Sequence, residues 1–250
     1  MRPSTKVLVC TLTLGMLSGP LAGLSMAADK YYAIFFASQS EPRRARFSHT
    51  FCTFMKAEEG NADVAAEPKL ETHTISWLPT SGVVRVLALR PERGRNFSLD
   101  ETLRVVRSTG QHVRSYGPYE VSADTYNKLL RQKQKLDSGR YTYKAIDGRV
   151  AGALNCIHAV TTADPAWGGF GVPSQSYGFP SVSILAERVT NKGHVLAQNQ
   201  DWILEKLAIR TGRGIRYMNY DPERQQHLAR VPADPNQPIL SQNPATKTVR

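Results

Sequence analysis

A cysteine at a predicted helix start and two histidines in predicted strands are the residues of this chain best suited to chemistry. Cys156 follows Asn155, a preferred helix N-cap, so it is expected to occupy the first helical position. Free backbone N–H groups and the positive end of the helix dipole favour a thiolate there. A thiolate can attack an acyl carbonyl once a base has taken its proton. The pair therefore predicts a nucleophilic cysteine with Asn155 as its helix cap.

His49 and His73 are the candidates for the base and for the group that orients it. Both lie inside predicted strands, and antiparallel pairing of those strands can bring the two imidazoles together. A hydrogen-bonded core histidine is the alternative interpretation of each. His158 is not expected to be the base, because two residues along a helix turn its side chain roughly 200° away from Cys156.

The three cysteines, Cys10, Cys52 and Cys156, also allow a purely structural interpretation. Cys10 is expected to leave with the N-terminal segment, and two cysteines in an oxidising compartment are typical of one disulfide. Cys52 comes three residues after His49 on one strand, so the two side chains point to opposite faces. A His49–Cys156 site and a Cys52–Cys156 disulfide therefore exclude each other.

Residues 1–27 have the features of a cleaved export signal. Arg2 and Lys6 precede an apolar run over 7–24, and Ser25-Met26-Ala27 is typical of a cleavage site. No later stretch approaches the roughly 18 apolar residues of a membrane span. We expect a periplasmic or secreted protein without a transmembrane helix in the mature chain.

The chain is basic, with 32 Lys and Arg against 21 Asp and Glu, or +11. Loss of the signal leaves 30 basic residues and a charge of +9. The positive charges are scattered, so we expect attraction to an anionic cell-envelope polymer or lipid headgroup and no nucleic-acid partner. A non-catalytic envelope-binding domain is thus a second hypothesis. No cofactor is expected, and the spacing of Cys156 and His158 matches no zinc site.

The hydrophobic pattern predicts an α+β domain with an antiparallel sheet packed against helices. Ser98 with Glu101 forms a capping box, Ser122 caps a further helix, and Asn155 caps the one that carries Cys156. The predicted strands cover 31–36, 47–55, 72–78, 83–89 and 141–146, with 113–121 either strand or linker. The predicted helices cover 98–108, 122–139, 181–191 and 199–211, and 163–180 is expected to be a loop.

One domain over 28–220 is expected, with its core at 31–162 and a helical extension at 181–212. The Pro-, Gln- and Asn-rich tail, 221–250, is expected to be disordered. Tyr143 and Trp167 are candidate substrate contacts.

The chain has a strand with His, a strand with a second polar residue, a helix, a strand with Tyr and then Asn-Cys at the start of a helix. This order of elements resembles that of the circularly permuted papain-like thiol hydrolases and acyltransferases of NlpC type. The matching pieces are Ser48-His49-Thr50-Phe51, Glu71-Thr72-His73-Thr74, Tyr141-x-Tyr143 and Asn155-Cys156. The resemblance covers about residues 31–162 and is nearest to the Lnb-type periplasmic domain of bacterial lipoprotein acyltransferases. Those families commonly have Gly where this chain has Ser48, and the acyltransferases carry membrane helices for which this sequence has no candidate after the domain.

The resemblance implies a permuted papain-like fold and an exported enzyme that attacks an amide or ester. It assigns Cys156 as nucleophile, His49 as base and His73 as the orienting group. The oxyanion would be held partly by the Cys156 backbone N–H. Peptidoglycan-derived peptides are a substrate class compatible with the compartment and the charge.

Overall fold

The computed structural model describes residues 29–58, 68–148, 150–191, 201–209 and 215–218. The predicted signal at 1–27, most of the loop predicted between the second and third strands, and the predicted disordered tail lie outside these residues.

The main sheet has five strands in the order β3-β2-β1-β6-β9. Its centre is β1 (Lys30–Gln39), an apolar strand that pairs antiparallel with β2 (Ser48–Glu58) and β6 (His112–Val121). At one edge β3 (Lys69–Ile75) is antiparallel to β2, and at the other β9 (Ile215–Met218) is parallel to β6. The predicted α+β class with an antiparallel sheet is confirmed.

A second sheet has the order β4-β5-β7-β8. Its strands are short: β4 (Trp77–Pro79), β5 (Glu92–Asn96), β7 (Thr142–Tyr143) and β8 (Ala153–Leu154). The helices are α1 (Leu99–Ser108), α2 (Ala123–Asp137), α3 (Cys156–Thr161), α4 (Phe179–Asn191) and α5 (Asp201–Lys206). The predicted caps Ser98, Ser122 and Asn155 are all confirmed as N-caps.

The central strand β1 is buried on both faces of the main sheet, so its apolar side chains pack against helices on either side. Phe35, Cys52 and Phe54 pack with residues of α2, α3 and α4 in one cluster. Phe36 and Phe51 pack with α1 and α5 in a second cluster. Alternation along each strand thus sends neighbouring residues to different helical layers, which decides where each histidine goes.

Three predicted strands differ from the structure. The strand predicted at 72–78 divides at Ser76 into β3 and β4, which belong to different sheets. The strand predicted at 141–146 is only Thr142–Tyr143. Residues 83–89 form a turn, a bend and irregular chain instead of a strand, and β5 follows at Glu92–Asn96. Apolar composition predicted that strand, but no neighbouring strand among the described residues pairs with it.

The loop predicted at 163–180 contains three single-turn 3₁₀ helices at Pro165–Trp167, Gly169–Gly171 and Ser174–Ser176. In the described part of the chain, no helix combines the length and apolar character that crossing a bilayer requires.

Candidate functional site

Asn155 follows the short strand β8 and caps α3. Its side-chain oxygen accepts a hydrogen bond from the His158 backbone N–H at 2.8 Å. Its side-chain nitrogen donates to Asp147 Oδ1 at 3.1 Å and to Ser174 Oγ at 3.0 Å. The side chain is therefore held from both sides, and Cys156 is fixed as the first helical residue.

A buried ion pair lies under this cap. His158 Nδ1 donates to both carboxylate oxygens of Asp147 at 2.8 Å, and the Asn155 backbone N–H donates to Asp147 Oδ2 at 2.7 Å. His158 Nε2 donates to the Val172 carbonyl at 2.8 Å. Both ring nitrogens face groups that only accept, so the imidazole is the charged imidazolium.

The pKa of His158 is raised for this reason. Burial alone would lower it, but the hydrogen bonds to Asp147 and to the Val172 carbonyl, with the Asp147 charge, outweigh burial. Because both ring nitrogens of His158 are protonated and donate hydrogen bonds, the ring cannot accept a proton from Cys156. His158 therefore supports the helix and is not a base, in agreement with the sequence-based expectation.

Hydrogen bonding from the backbone N–H groups of Thr50, Cys156 and Ile157 favours the Cys156 thiolate and acts to lower its pKa. Thr50 has no partner in β3, because β2–β3 pairing begins at Cys52 opposite Ile75. Burial outweighs these donors and raises the pKa of the Cys156 thiol to about 11. The expected lowering of this pKa is not found: Cys156 is only 7% exposed, and desolvation exceeds the effect of the helix N-terminus.

Cys156 lies in the wall of a cavity of about 120 Å³. The wall is mostly apolar, with Tyr143 and Tyr177 as its aromatic members and Ser48 and Asn155 among its polar members. Among its described lining residues there is no His, Asp, Glu, Lys or Arg. The complete lining is Ala45, Ser48, Val84, Val86, Tyr143, Ala145, Ile146, Asn155, Cys156, Ile157, Ser174, Gln175 and Tyr177.

Tyr143 lies on β7 and is buried in this wall. Burial raises the pKa of its phenol well above the ordinary value, and negative charge on Cys156 and on Asp147 adds to the shift. The neutral phenol is therefore a hydrogen-bond donor in the same cavity wall as the sulfur. Tyr143 thus lines the cavity, and its contact with a substrate stays a prediction.

The structure does not bring His49 to Cys156. His49 Nε2 lies 2.8 Å from Ser76 Oγ, and its ring stacks on Phe51 at 5.3 Å between centroids. Phe51 belongs to the cluster under α1 and α5, on the sheet face opposite α3. The role expected of His49 as base is therefore corrected: strand alternation directs Thr50 towards α3 and His49 away from it.

Burial lowers the pKa of His49 to about 3, so this histidine is neutral in the folded protein. It is the hydrogen-bonded core histidine of the alternative interpretation.

His73 does not orient His49. The strands β2 and β3 do pair antiparallel, but His73 lies opposite Phe54, on the other face of the sheet. Five residues along the strand separate Phe54 from His49, roughly 17 Å. His73 is instead 24% exposed, and its Nε2 lies 2.9 Å from Glu71 Oε1. The expected Cys156–His49–His73 constellation is not assembled.

Cys52 and Cys156 are both free and buried, so the alternative of a Cys52–Cys156 disulfide is not what the structure contains. Cys52 lies in the cluster that includes Ala159 and Val160 of α3. Cys52 therefore lies on the sheet face that packs against α3, the helix of Cys156. The sequence-based expectation placed His49 on that face and Cys52 on the opposite one. Burial raises the pKa of the Cys52 thiol, so it is a small apolar core residue.

Trp167, a candidate substrate contact, is a core residue. It is fully buried and packs edge-on against Phe35 at 5.4 Å between ring centroids. It does not line the Cys156 cavity. Tyr177 lies in the cavity wall with Tyr143, and the Arg43 guanidinium sits over the Tyr177 ring at 4.9 Å from its centroid.

Sequence reasoning missed Asp147 and Thr50. In the sequence, Asp147 is half of an Asp-Gly turn signal, and nothing local distinguishes a turn aspartate from a buried counter-ion. Thr50 acts through its backbone N–H, which carries no sequence signal. Over the ranges that the structure describes, no group of three or more His, Cys, Asp or Glu side chains is arranged to hold a metal ion.

Comparison of the chain with family models, curated proteins and solved structures finds no match.

Proposed function

We propose that this protein is an exported cysteine-dependent hydrolase or acyltransferase that acts on an ester or amide through Cys156. The observation that carries the proposal is the position of Cys156, the first residue of a helix capped by Asn155, in the wall of a cavity. The Thr50, Cys156 and Ile157 backbone N–H groups favour its thiolate. Export is inferred from residues 1–27. A permuted papain-like fold is part of this proposal.

The reaction follows from the groups present. The sulfur attacks the acyl carbonyl carbon, the bond to the leaving oxygen or nitrogen breaks, and the thiol proton goes to the leaving group. Tyr143, as a neutral donor, stabilises the developing negative charge together with the backbone N–H groups. Water or a second acceptor then attacks the thioester carbonyl, the carbon–sulfur bond breaks, and the proton of the attacking group returns to the sulfur.

The cavity favours an apolar acyl group over a charged peptide. Val84, Val86 and Ile146 contribute aliphatic walls, and no described lining residue carries a formal charge. The cavity, of about 120 Å³, is small, so a short acyl chain fits best.

A non-catalytic binding domain is the second candidate. It is favoured by the thiol pKa of about 11 and by the absence of a titratable base among the described lining residues. In that case the cavity holds an apolar ligand without bond formation.

The test uses p-nitrophenyl esters of increasing acyl length. The enzyme hypothesis expects a burst of nitrophenolate, an acyl adduct on Cys156 in the intact mass, and a preference for short chains. Cys156→Ser removes the adduct, while Cys52→Ser, a matched change of a buried thiol, keeps it. Reversible binding without an adduct would support the second candidate and contradict the first.

A further inference from the structure

The loop between β4 and β5, residues 80–91, exposes large apolar side chains. Leu89 is 95% exposed, Leu87 is 85% exposed and Val83 is 51% exposed. Leaving a leucine in water instead of burying it forgoes roughly 2 kcal/mol. The two exposed leucines, at alternate positions, therefore indicate that this surface contacts an apolar partner outside the chain.

Hydrogen bonds hold this loop in shape. The Gly82 N–H donates to the Pro79 carbonyl at 2.8 Å, and the Ala88 N–H donates to the Arg85 carbonyl at 3.2 Å. Lys144 Nζ donates to the carbonyls of Ala88 and Leu89 at 2.8 and 3.1 Å. The turn that carries the two leucines is thus tied to the segment that follows β7.

The same loop forms part of the Cys156 cavity. Val84 and Val86 point inward and line it, together with Ile146, which is itself 55% exposed. The leucines that point outward therefore lie on the loop that borders the cavity. A partner that binds Leu87 and Leu89 therefore also lies next to the Cys156 cavity.

The charge of the loop indicates which kind of surface binds it. Residues 80–91 contain no Asp or Glu, whereas Arg85 and Arg90 are both exposed. Arg85 lies 3.7 Å from the carboxylate of Glu92, just beyond the loop. Protruding leucines flanked by arginines match the boundary of an anionic bilayer, where apolar side chains enter the acyl region and cations meet phosphates.

We propose that residues 80–91 dock this protein on an anionic lipid membrane. Leu87 and Leu89 enter the headgroup–acyl boundary, and Arg85 and Arg90 bind lipid phosphates. The net charge, +11 for the full chain and +9 without residues 1–27, adds long-range attraction to the same surface. The docking does not depend on Cys156 chemistry, although it brings the cavity close to lipid.

A local probe tests this in the full chain, where residues 7–24 can themselves bind lipid. Leu89→Trp places a fluorophore in the loop, and Ser108→Trp places one on the exposed end of α1. The wild-type protein supplies the background emission of the native tryptophans. With phosphatidylglycerol vesicles, the emission added by Leu89→Trp is expected to move to shorter wavelength and to be quenched by brominated acyl chains. The Ser108→Trp protein should show neither effect.

Charge reversal gives the second arm. Combining Arg85→Glu and Arg90→Glu with Leu89→Trp is expected to weaken the vesicle response by roughly tenfold or more, because each cation contributes to binding at an anionic surface. Phosphatidylcholine vesicles should give little response. Cys156→Ser should leave it unchanged, so failure of the enzyme hypothesis and failure of docking are separable.

Three outcomes would overturn the proposal. The first is a Leu89→Trp emission that vesicles do not change. The second is an equal response from Ser108→Trp. The third is a short-wavelength emission without lipid that depends on protein concentration, which would show that a second copy of the chain covers the loop.

Discussion

Asp147 and His158 form a buried ion pair directly beneath the N-terminus of the helix that carries Cys156, with 2.8 Å between His158 Nδ1 and each carboxylate oxygen. Asp147 also accepts from the backbone and the side chain of Asn155. The position of the nucleophile thus depends on an aspartate that lies eight residues before Asn155 and eleven before His158 in the sequence.

Replacing Asp147 by Asn is expected to destabilise the protein by about 3 kcal/mol, because it leaves a buried imidazolium without its counter-ion. Urea unfolding at pH 6 measures the loss. Lys133→Gln removes an exposed partner of Asp137 and serves as control, with a change of no more than about 1 kcal/mol. A loss as small as that of the control would show that the pair contributes little.

The His158 ion pair also predicts a pH dependence. Its folded pKa is raised above 6.5, so the folded protein binds more protons than the unfolded chain once pH exceeds 6.5. The contribution of His158 is complete below that pH and is lost as pH rises through the folded pKa. Unfolding free energies of the wild type should therefore fall over this range, and His158→Gln should lack that part of the slope.

Cys156 should alkylate slowly at neutral pH and faster at each higher pH until about 11, where its pKa lies. Intact-mass measurement of iodoacetamide labelling, with Cys52→Ser to isolate the site, gives the profile. Cys52 should label only on unfolding, because it is fully buried. Rapid labelling of Cys156 at pH 6 would contradict the protonated thiol.

His49→Gln should leave Cys156 labelling at the wild-type rate, because the His49 ring contacts Ser76 and not the cavity. The variant is expected to lose about 1–3 kcal/mol of stability through its altered buried hydrogen bond. Loss of labelling in a folded variant would restore His49 as a candidate base.

The neutral, buried state of His49 has its own pH signature. Its folded pKa is about 3, against 6.5 for the free side chain, so its contribution is complete above 6.5 and is lost as pH falls towards 3. Unfolding measured between pH 7 and 4 should show that loss in the wild type and less of it in His49→Gln.

Gly94 on β5 is required for the packing of Trp77. A Cβ at this position would lie 2.1 Å from the Trp77 ring, whose Nε1 donates to the Leu154 carbonyl next to Asn155. Gly94→Ala should cost about 1–3 kcal/mol or more through overpacking. Gly148→Ala meets no atom within 4 Å and is the matched control, with a change expected within about 0.5 kcal/mol. Equal thermal stability of the two variants would contradict this account.

Local sequence determined the parts of this protein that local physics controls. The capping box of Ser98 and the caps Ser122 and Asn155 were predictable because each cap satisfies backbone N–H groups within three residues of itself. The central strand β1 was equally predictable from its continuous apolar run. Cys156 at the start of a helix follows from the same reasoning.

Only the tertiary structure decided what surrounds Cys156. The β2–β3 register set His73 opposite Phe54, and strand alternation turned His49 to the other helical layer. The loop at 80–91 has the composition of a strand, but no described strand pairs with it and its leucines remain exposed. Contacts between distant segments depend on register and on which surfaces meet, and a pattern of neighbouring residues does not encode either.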